Sequence, residues 1–169
     1  KLNKQNNKVA IIMGSQSDYS VMKDCEKILR ILKIKHQVSI VSAHRTPKRM
    51  FEFAESAAKN GFAVIIAGAG GAAHLPGMVA SLATVPVIAV PIESKTLKGL
   101  DSLLSIVQMP KGCPTATMGI NGAFNAGLHA ASIIGTFDLK VRSNLEKWKR
   151  LQTTSVKKNL NNNKCQILP

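Results

Sequence analysis

Residues 63–77, AVIIAGAGGAAHLPG, open with five apolar residues and then break into a glycine-rich turn that reaches His74. An apolar run this short, stopped by glycine, fits a strand buried on both faces, as in a parallel sheet. The same unit recurs on either side. Upstream, Lys8–Met13 (KVAIIM) ends at Gly14, and from Asp18 onward Val21, Cys25, Ile28, Leu29 and Leu32 recur at helical spacing. Gln37–Val41 reads as a second strand. Thr46-Pro47 then opens a helix carrying Phe51, Phe53, Ala54 and Ala58 to Gly61, proline in a first turn having no donor to waste. Downstream come a short helix near Met78–Leu82, a fourth strand at Pro86–Val90 and a helix over Leu100–Val107. A fifth strand around Pro114–Met118, a small-residue helix Ala123–Ile134 and a charged amphipathic helix Leu139–Leu151 complete the series. Strands alternating with helices predict an α/β fold, a parallel sheet with helices on both faces. With no internal repeat and no linker, residues 8–151 form one domain between a polar tail (1–7) and a basic tail (152–169) expected to be disordered.

The chain has 169 residues and a net charge of +14, which invites a nucleic-acid reading until the charge is located. Residues 138–169 hold eight Lys or Arg against two acids, and residues 1–8 hold three Lys and no acid. The body, 9–137, has twelve basic and seven acidic residues, so much of the excess sits in what read as solvated ends. Aromatics make up only 4% and do not interleave with the basic residues, so there is no stacking platform and nucleic acid is not an expected partner. Cys25, Cys113 and Cys165 are odd in number and widely spaced, offering neither a disulfide framework nor a paired metal site. A reduced, cytoplasmic setting is expected. KLNKQNNK at the start runs straight into a short apolar segment, without the long apolar stretch of a signal peptide. Residues 60–92 and 112–137 hold no Lys, Arg, Asp or Glu, but glycine and proline cut the first into pieces too short to span a membrane. Burial this thorough predicts packing between copies, hence a homo-oligomer.

In an open parallel sheet, ligands sit beyond the carboxyl ends of the strands. Three loops there carry the unusual residues: Gly14-Ser15-Gln16-Ser17-Asp18, Ser42-Ala43-His44-Arg45-Thr46-Pro47 and Gly68-Ala69-Gly70-Gly71-Ala72-Ala73-His74. The first is a phosphate cradle of backbone N–H groups and hydroxyls, or simply a turn in which Ser17 or Asp18 caps a helix. Arg45 on the next loop supplies the cation a phosphate wants, and its planar fork suits that geometry. The Asp18 carboxylate suits ribose hydroxyls instead. His44 either caps the turn that follows it or works as acid and base within one turnover, since histidine titrates near working pH. The three glycines of the third loop allow close backbone approach to a ligand, and His74 at its end is read as a substrate contact. His36 and His129 lack such company and read as surface or packing residues. Gly68, Gly70 and Ala73 also match the loose dinucleotide fingerprint, with Glu93 twenty residues on, although that fingerprint normally follows a first strand.

At these loops the chain resembles the class I family of N5-carboxyaminoimidazole ribonucleotide mutases, the phosphoribosylaminoimidazole carboxylase catalytic subunit family. The matching segments are MGSQSD (Met13–Asp18), VSAHRTP (Val41–Pro47), IAGAGGAAHLPGM (Ile66–Met78) and DSLLSIVQMPKG (Asp101–Gly112), and the likeness spans roughly residues 8–150. The resemblance implies a three-layer flavodoxin-like subunit in an octamer. It also implies conversion of N5-carboxyaminoimidazole ribonucleotide to the 4-carboxy isomer in purine synthesis, with no metal or organic cofactor. Carried over by motif, Ser15, Asp18 and Arg45 bind the ribonucleotide, with Arg45 at its phosphate. Ser42, His74 and the segment Ala69, Gly70 and Gly71 line the pocket, and His44 is the general acid/base. Cys113, the stretch Met118–Asn125 and His129 depart from the family's pattern and bear on subunit packing. Two other readings stay open: direct carboxylation of aminoimidazole ribonucleotide, and a nucleotide-binding module without turnover.

Overall fold

The structure, a computed structural model, describes residues 7–156. Five strands form one sheet: β1 (Lys8–Met13), β2 (His36–Ile40), β3 (Phe62–Gly70), β4 (Val87–Ile92) and β5 (Ala116–Thr117). Their order is β2-β1-β3-β4-β5 and every neighbouring pair is parallel, the doubly wound flavodoxin-like arrangement. Six α-helices cover it: α1 (Tyr19–Ile31), α2 (Pro47–Ser56), α3 (Leu75–Ala80), α4 (Leu100–Val107), α5 (Ala123–Gly135) and α6 (Leu139–Ser155).

Period-two alternation along the strands makes the two faces. Val9, Ile11, Met13, Val64, Ile66, Ile88 and Val90 enter a core with α1, α5 and α6. Ala10, Ile12, Ile65, Ala67, Val87 and Ala89 enter the opposite core with α2, α3 and Ile106 of α4. The small residues of α5 let it lie against α1. A Cβ on Gly127 would stand 2.3 Å from Ile28 Cγ2, so this crossing tolerates no side chain there.

The sheet departs from the sequence reading at its ends. Strand β3 runs on through Gly70 because β4 pairs with it as far as Gly70–Ile92; Gly68–Gly70 are therefore strand, not loop. Gly68 is a packing requirement, since a Cβ there would meet Met22 Sδ at 2.4 Å. Strand β4 continues past Val90 through Pro91, whose missing N–H lies where β5 has already ended; its carbonyl accepts from the N–H of Asn121 at 2.8 Å. Helix α3 begins at Leu75, not Met78, with Pro76 in its first turn. Helix α6 runs to Ser155, so Gln152–Ser155 are helical where a frayed tail was expected; 1–6 and 157–169 lie outside the described residues.

The uncharged stretch 60–92 supplies β3, α3 and β4, so the core of a single chain accounts for most of its burial. Among the described residues no helix is long and apolar enough to cross a membrane.

Candidate active site

Beyond the carboxyl ends of β1, β2, β3 and β4 lies an open cavity of about 380 Å³, within the range of small-molecule sites. Ser15, Asp18, Ser42, His44, Arg45, Ala69, Gly70 and Gly71 all line it. Of the nine residues assigned to the site from the sequence, His74 alone is off the lining, and it touches His44 directly.

The first loop is fastened by Asp18, whose Oδ2 accepts the Ser15 N–H at 3.0 Å while the Ser15 and Ser17 hydroxyls meet at 2.6 Å. Asp18 thus reaches back to the entrance of the turn, and its second oxygen has no partner among the described residues.

The second loop is closed on itself through Thr46. Its hydroxyl accepts the Ser42 N–H and donates to the Ser42 carbonyl, both at 3.0 Å. The expected helix start at Thr46-Pro47 is correct, but the Thr46 hydroxyl stabilises the loop and makes no cap bond to α2. Within that ring the Ser42 hydroxyl accepts from the Arg45 N–H at 3.2 Å. The Arg45 guanidinium reaches across to donate to the Gly14 carbonyl at 3.0 Å, tying the first loop to the second.

Two imidazoles meet at the mouth. His44 Nε2 lies 2.8 Å from His74 Nδ1, with the rings nearly perpendicular at 87°. One facing nitrogen must carry the hydrogen and the other must accept it. Among the described residues neither ring has a carboxylate partner, so this proton is shared between two like groups.

Only Gly71 of the third-loop glycines behaves as a turn glycine, with φ +68° and no atom near its missing Cβ. Because Gly68 and Gly70 belong to a strand and open no helix, the dinucleotide fingerprint is not realised. The fourth wall was missed as a loop: Ile92, Glu93 and Ser94 line the cavity, and the rule that pointed to the other three loops applies equally to the end of β4. Glu93 is held by Asn121, which accepts the Glu93 N–H at 2.9 Å and donates to its carboxylate at 3.2 Å.

His36 lies elsewhere, on β2, with Nδ1 2.9 Å from the Ile34 carbonyl and Nε2 3.7 Å from Glu26. His129 is an exposed residue of α5.

The strand order and the cavity at the carboxyl edge define a flavodoxin-like α/β protein with a small-molecule pocket built from four strand-end loops. The model of the AIR carboxylase family matches residues 8–155, and the chain belongs to that family. It is 53% identical over 154 residues to the N5-carboxyaminoimidazole ribonucleotide mutase of Escherichia coli (strain K12), covering 90% of this chain and 91% of that one. To the mutase of the same name from Thermotoga maritima it is 62% identical over 128 residues, covering 76% and 75%. It is 52% identical to the chloroplastic phosphoribosylaminoimidazole carboxylase of Vigna aconitifolia over 148 residues, but spans only 27% of that chain. Among solved structures, Treponema denticola PurE superposes with a TM-score of 0.79 at 26% identity, covering 87% of this chain and 92% of that chain.

Proposed function

We propose that this chain is an enzyme of purine biosynthesis that isomerises N5-carboxyaminoimidazole ribonucleotide to 4-carboxy-5-aminoimidazole ribonucleotide. The observation that carries the reading is the His44–His74 contact, placed at the mouth of a cavity that also offers Arg45, Ser15 and Asp18. Arg45 takes the phosphate, assisted by the Ser15 hydroxyl, and Asp18 accepts from the ribose. Ser42 holds Arg45 in place, and Ala69, Gly70 and Gly71 give a close, uncharged wall.

In the first half-reaction the bond between N5 and the carboxylate carbon breaks, and a proton from His44 reaches the departing nitrogen. Carbon dioxide and the free amine result. In the second half the ring carbon attacks the retained carbon dioxide, and the proton that carbon loses returns to His44. No proton is gained or lost overall, so one imidazole serves both halves. The uncharged wall of Ala69, Gly70 and Gly71 offers water no polar side chain on that side, which favours keeping the gas beside the ring carbon.

The rival reading, direct carboxylation of aminoimidazole ribonucleotide, draws on the name of the family and of the plant relative. The test is an ultraviolet assay with freshly made N5-carboxyaminoimidazole ribonucleotide and no ATP. Turnover by the parent, abolished in His44→Asn while ligand binding survives, supports the mutase. Turnover only of aminoimidazole ribonucleotide with bicarbonate replaces it with the carboxylase, and binding without turnover leaves a nucleotide-binding module.

We further propose a cytoplasmic homo-octamer whose catalytic body is residues 8–151. Leu97, Leu100, Leu104 and Val107 form an exposed apolar stripe along and just before α4, between 47% and 55% accessible, which supports a contact between copies. Gln152–Val156 are all exposed. Truncation after Leu151 is expected to leave turnover and assembly unchanged, which sedimentation and the same assay would check.

A further inference from the structure

One fully buried polar side chain outside the pocket is bonded to its wall. Ser102 lies on α4 with no accessible surface, in the apolar setting of Leu100–Val107. Its hydroxyl donates to the Ile92 carbonyl at 2.6 Å and accepts the Gly71 N–H at 2.8 Å. A hydroxyl has one hydrogen, and an N–H can only donate, so the direction of both bonds is fixed.

The location gives the arrangement its meaning. Gly70–Ile92 is the last rung between β3 and β4. At the next residue the chain leaves the sheet through Gly71, and Ser102 supplies the bond that another rung would have given. The turn to His74 starts from that residue: the Ala73 N–H donates to the Gly71 carbonyl at 2.8 Å, and the His74 N–H to the Ala72 carbonyl at 2.9 Å, before the His74 carbonyl accepts from the Met78 N–H of α3 at 3.0 Å. His74 Nδ1 then meets His44 Nε2. The neighbouring Asp101 fastens the other wall of the same pocket, accepting from the Ser94 hydroxyl at 2.7 Å.

We infer that Ser102 is a positioning residue for the proton-transfer pair: by holding Gly71 it fixes the turn that aims His74 at His44. The inference rests on the proposed mutase reading. It also explains why a serine stands at an interior position of an apolar helix, where an alanine would leave the Gly71 N–H and the Ile92 carbonyl without partners.

The test is Ser102→Ala in the full chain, with Ser102→Cys as a variant of nearly the same size should the alanine protein fold poorly. Turnover is compared with ¹⁵N spectra of the imidazoles, in which His36 and His129 serve as internal references. The expected result is a kcat at least tenfold lower, KM within about threefold, and displaced signals for His44 and His74 alone; the cysteine variant falls between parent and alanine. An unchanged kcat, or a loss that only follows the folded fraction with all four histidine signals in place, overturns the inference. A parent without turnover but with histidine signals displaced by Ser102→Ala counts against the mutase reading and leaves the positioning role standing.

Discussion

The two polar clusters built around histidine differ in what holds them. At the pocket, His44 and His74 are exposed and, among the described residues, face each other with no carboxylate partner, so the hydrogen between them is committed to no charge. On the flank between α1 and β2, His36 is packed beside Glu26, a carboxylate only 9% exposed. Burial pushes the Glu26 carboxyl up, but the hydrogen bond from Tyr19 together with the Arg30 and His36 charges outweighs it and holds the group below its ordinary value. The same bond pushes the Tyr19 phenol up. A carboxylate ringed by donors keeps one charge state, whereas two like imidazoles can exchange a proton. The second arrangement is the one acid/base catalysis needs.

The largest expected effect separates the two clusters outright. His44→Asn is expected to lower kcat by roughly 10²–10⁴, the range of one general acid/base. His36→Asn is expected to stay within about twofold, because its partners lie away from the cavity. Equal losses in a steady-state assay would erase the distinction. Next, Arg45→Ala removes both the proposed phosphate contact and the tie to the Gly14 carbonyl. KM is expected to rise about tenfold to a hundredfold, as one charged hydrogen-bonding contact is worth about 1.5–3 kcal/mol, with a smaller fall in kcat. A kcat loss without a KM change would move Arg45 from binding to chemistry. Gly68→Ala tests the floor beneath the pocket. Its Cβ would meet Met22 Sδ at 2.4 Å, so a destabilisation of about 1–3 kcal/mol is expected in urea unfolding, Met22 being flexible enough to relieve part of it.

The sequence revealed most where one residue decides locally. KVAIIM predicted β1 to the residue, and the start of α5 at Ala123 was equally clear. Gly68 and Gly70 misled because glycine signals a break, yet pairing with β4 and the closeness of Met22 and Ile92 decide their conformation; both are long-range facts. Thr46 was identified as a helix start, but its hydroxyl turned to Ser42, a choice made by the loop's own geometry. Eight of the nine candidate site residues line one cavity because the strand-end rule depends only on topology. Glu93 and Ser94 fell under the same rule, but Ser94 carried no distinctive motif and Glu93 was read only as the acidic residue of the dinucleotide fingerprint. Ser102 was not singled out, since DSLLSIV holds two serines, Ser102 and Ser105, and nothing local tells the fully buried one from one on a solvated helix face.

The smallest effect sharpens the comparison from the other side. Glu26→Gln keeps an acceptor for the Tyr19 hydroxyl, 2.8 Å from Glu26 Oε2, and removes only the charge. Arg30 is 69% exposed, so solvent screens its share, and a loss of about 1 kcal/mol at neutral pH is expected. That is roughly 2–4 °C in Tm for a chain of this size. The sign with pH follows from the depressed value: the folded state prefers the ionised carboxyl, so the contribution is complete above the ordinary carboxylate range and disappears as pH falls through the folded value. Parent and variant should therefore differ at pH 7 and draw together as pH falls below the ordinary carboxylate range, with turnover of the folded variant unchanged. A difference that stays constant as the pH is lowered would mean that Glu26 acts through packing, and the contrast between a fixed charge on the flank and a movable proton at the pocket would lose its first half.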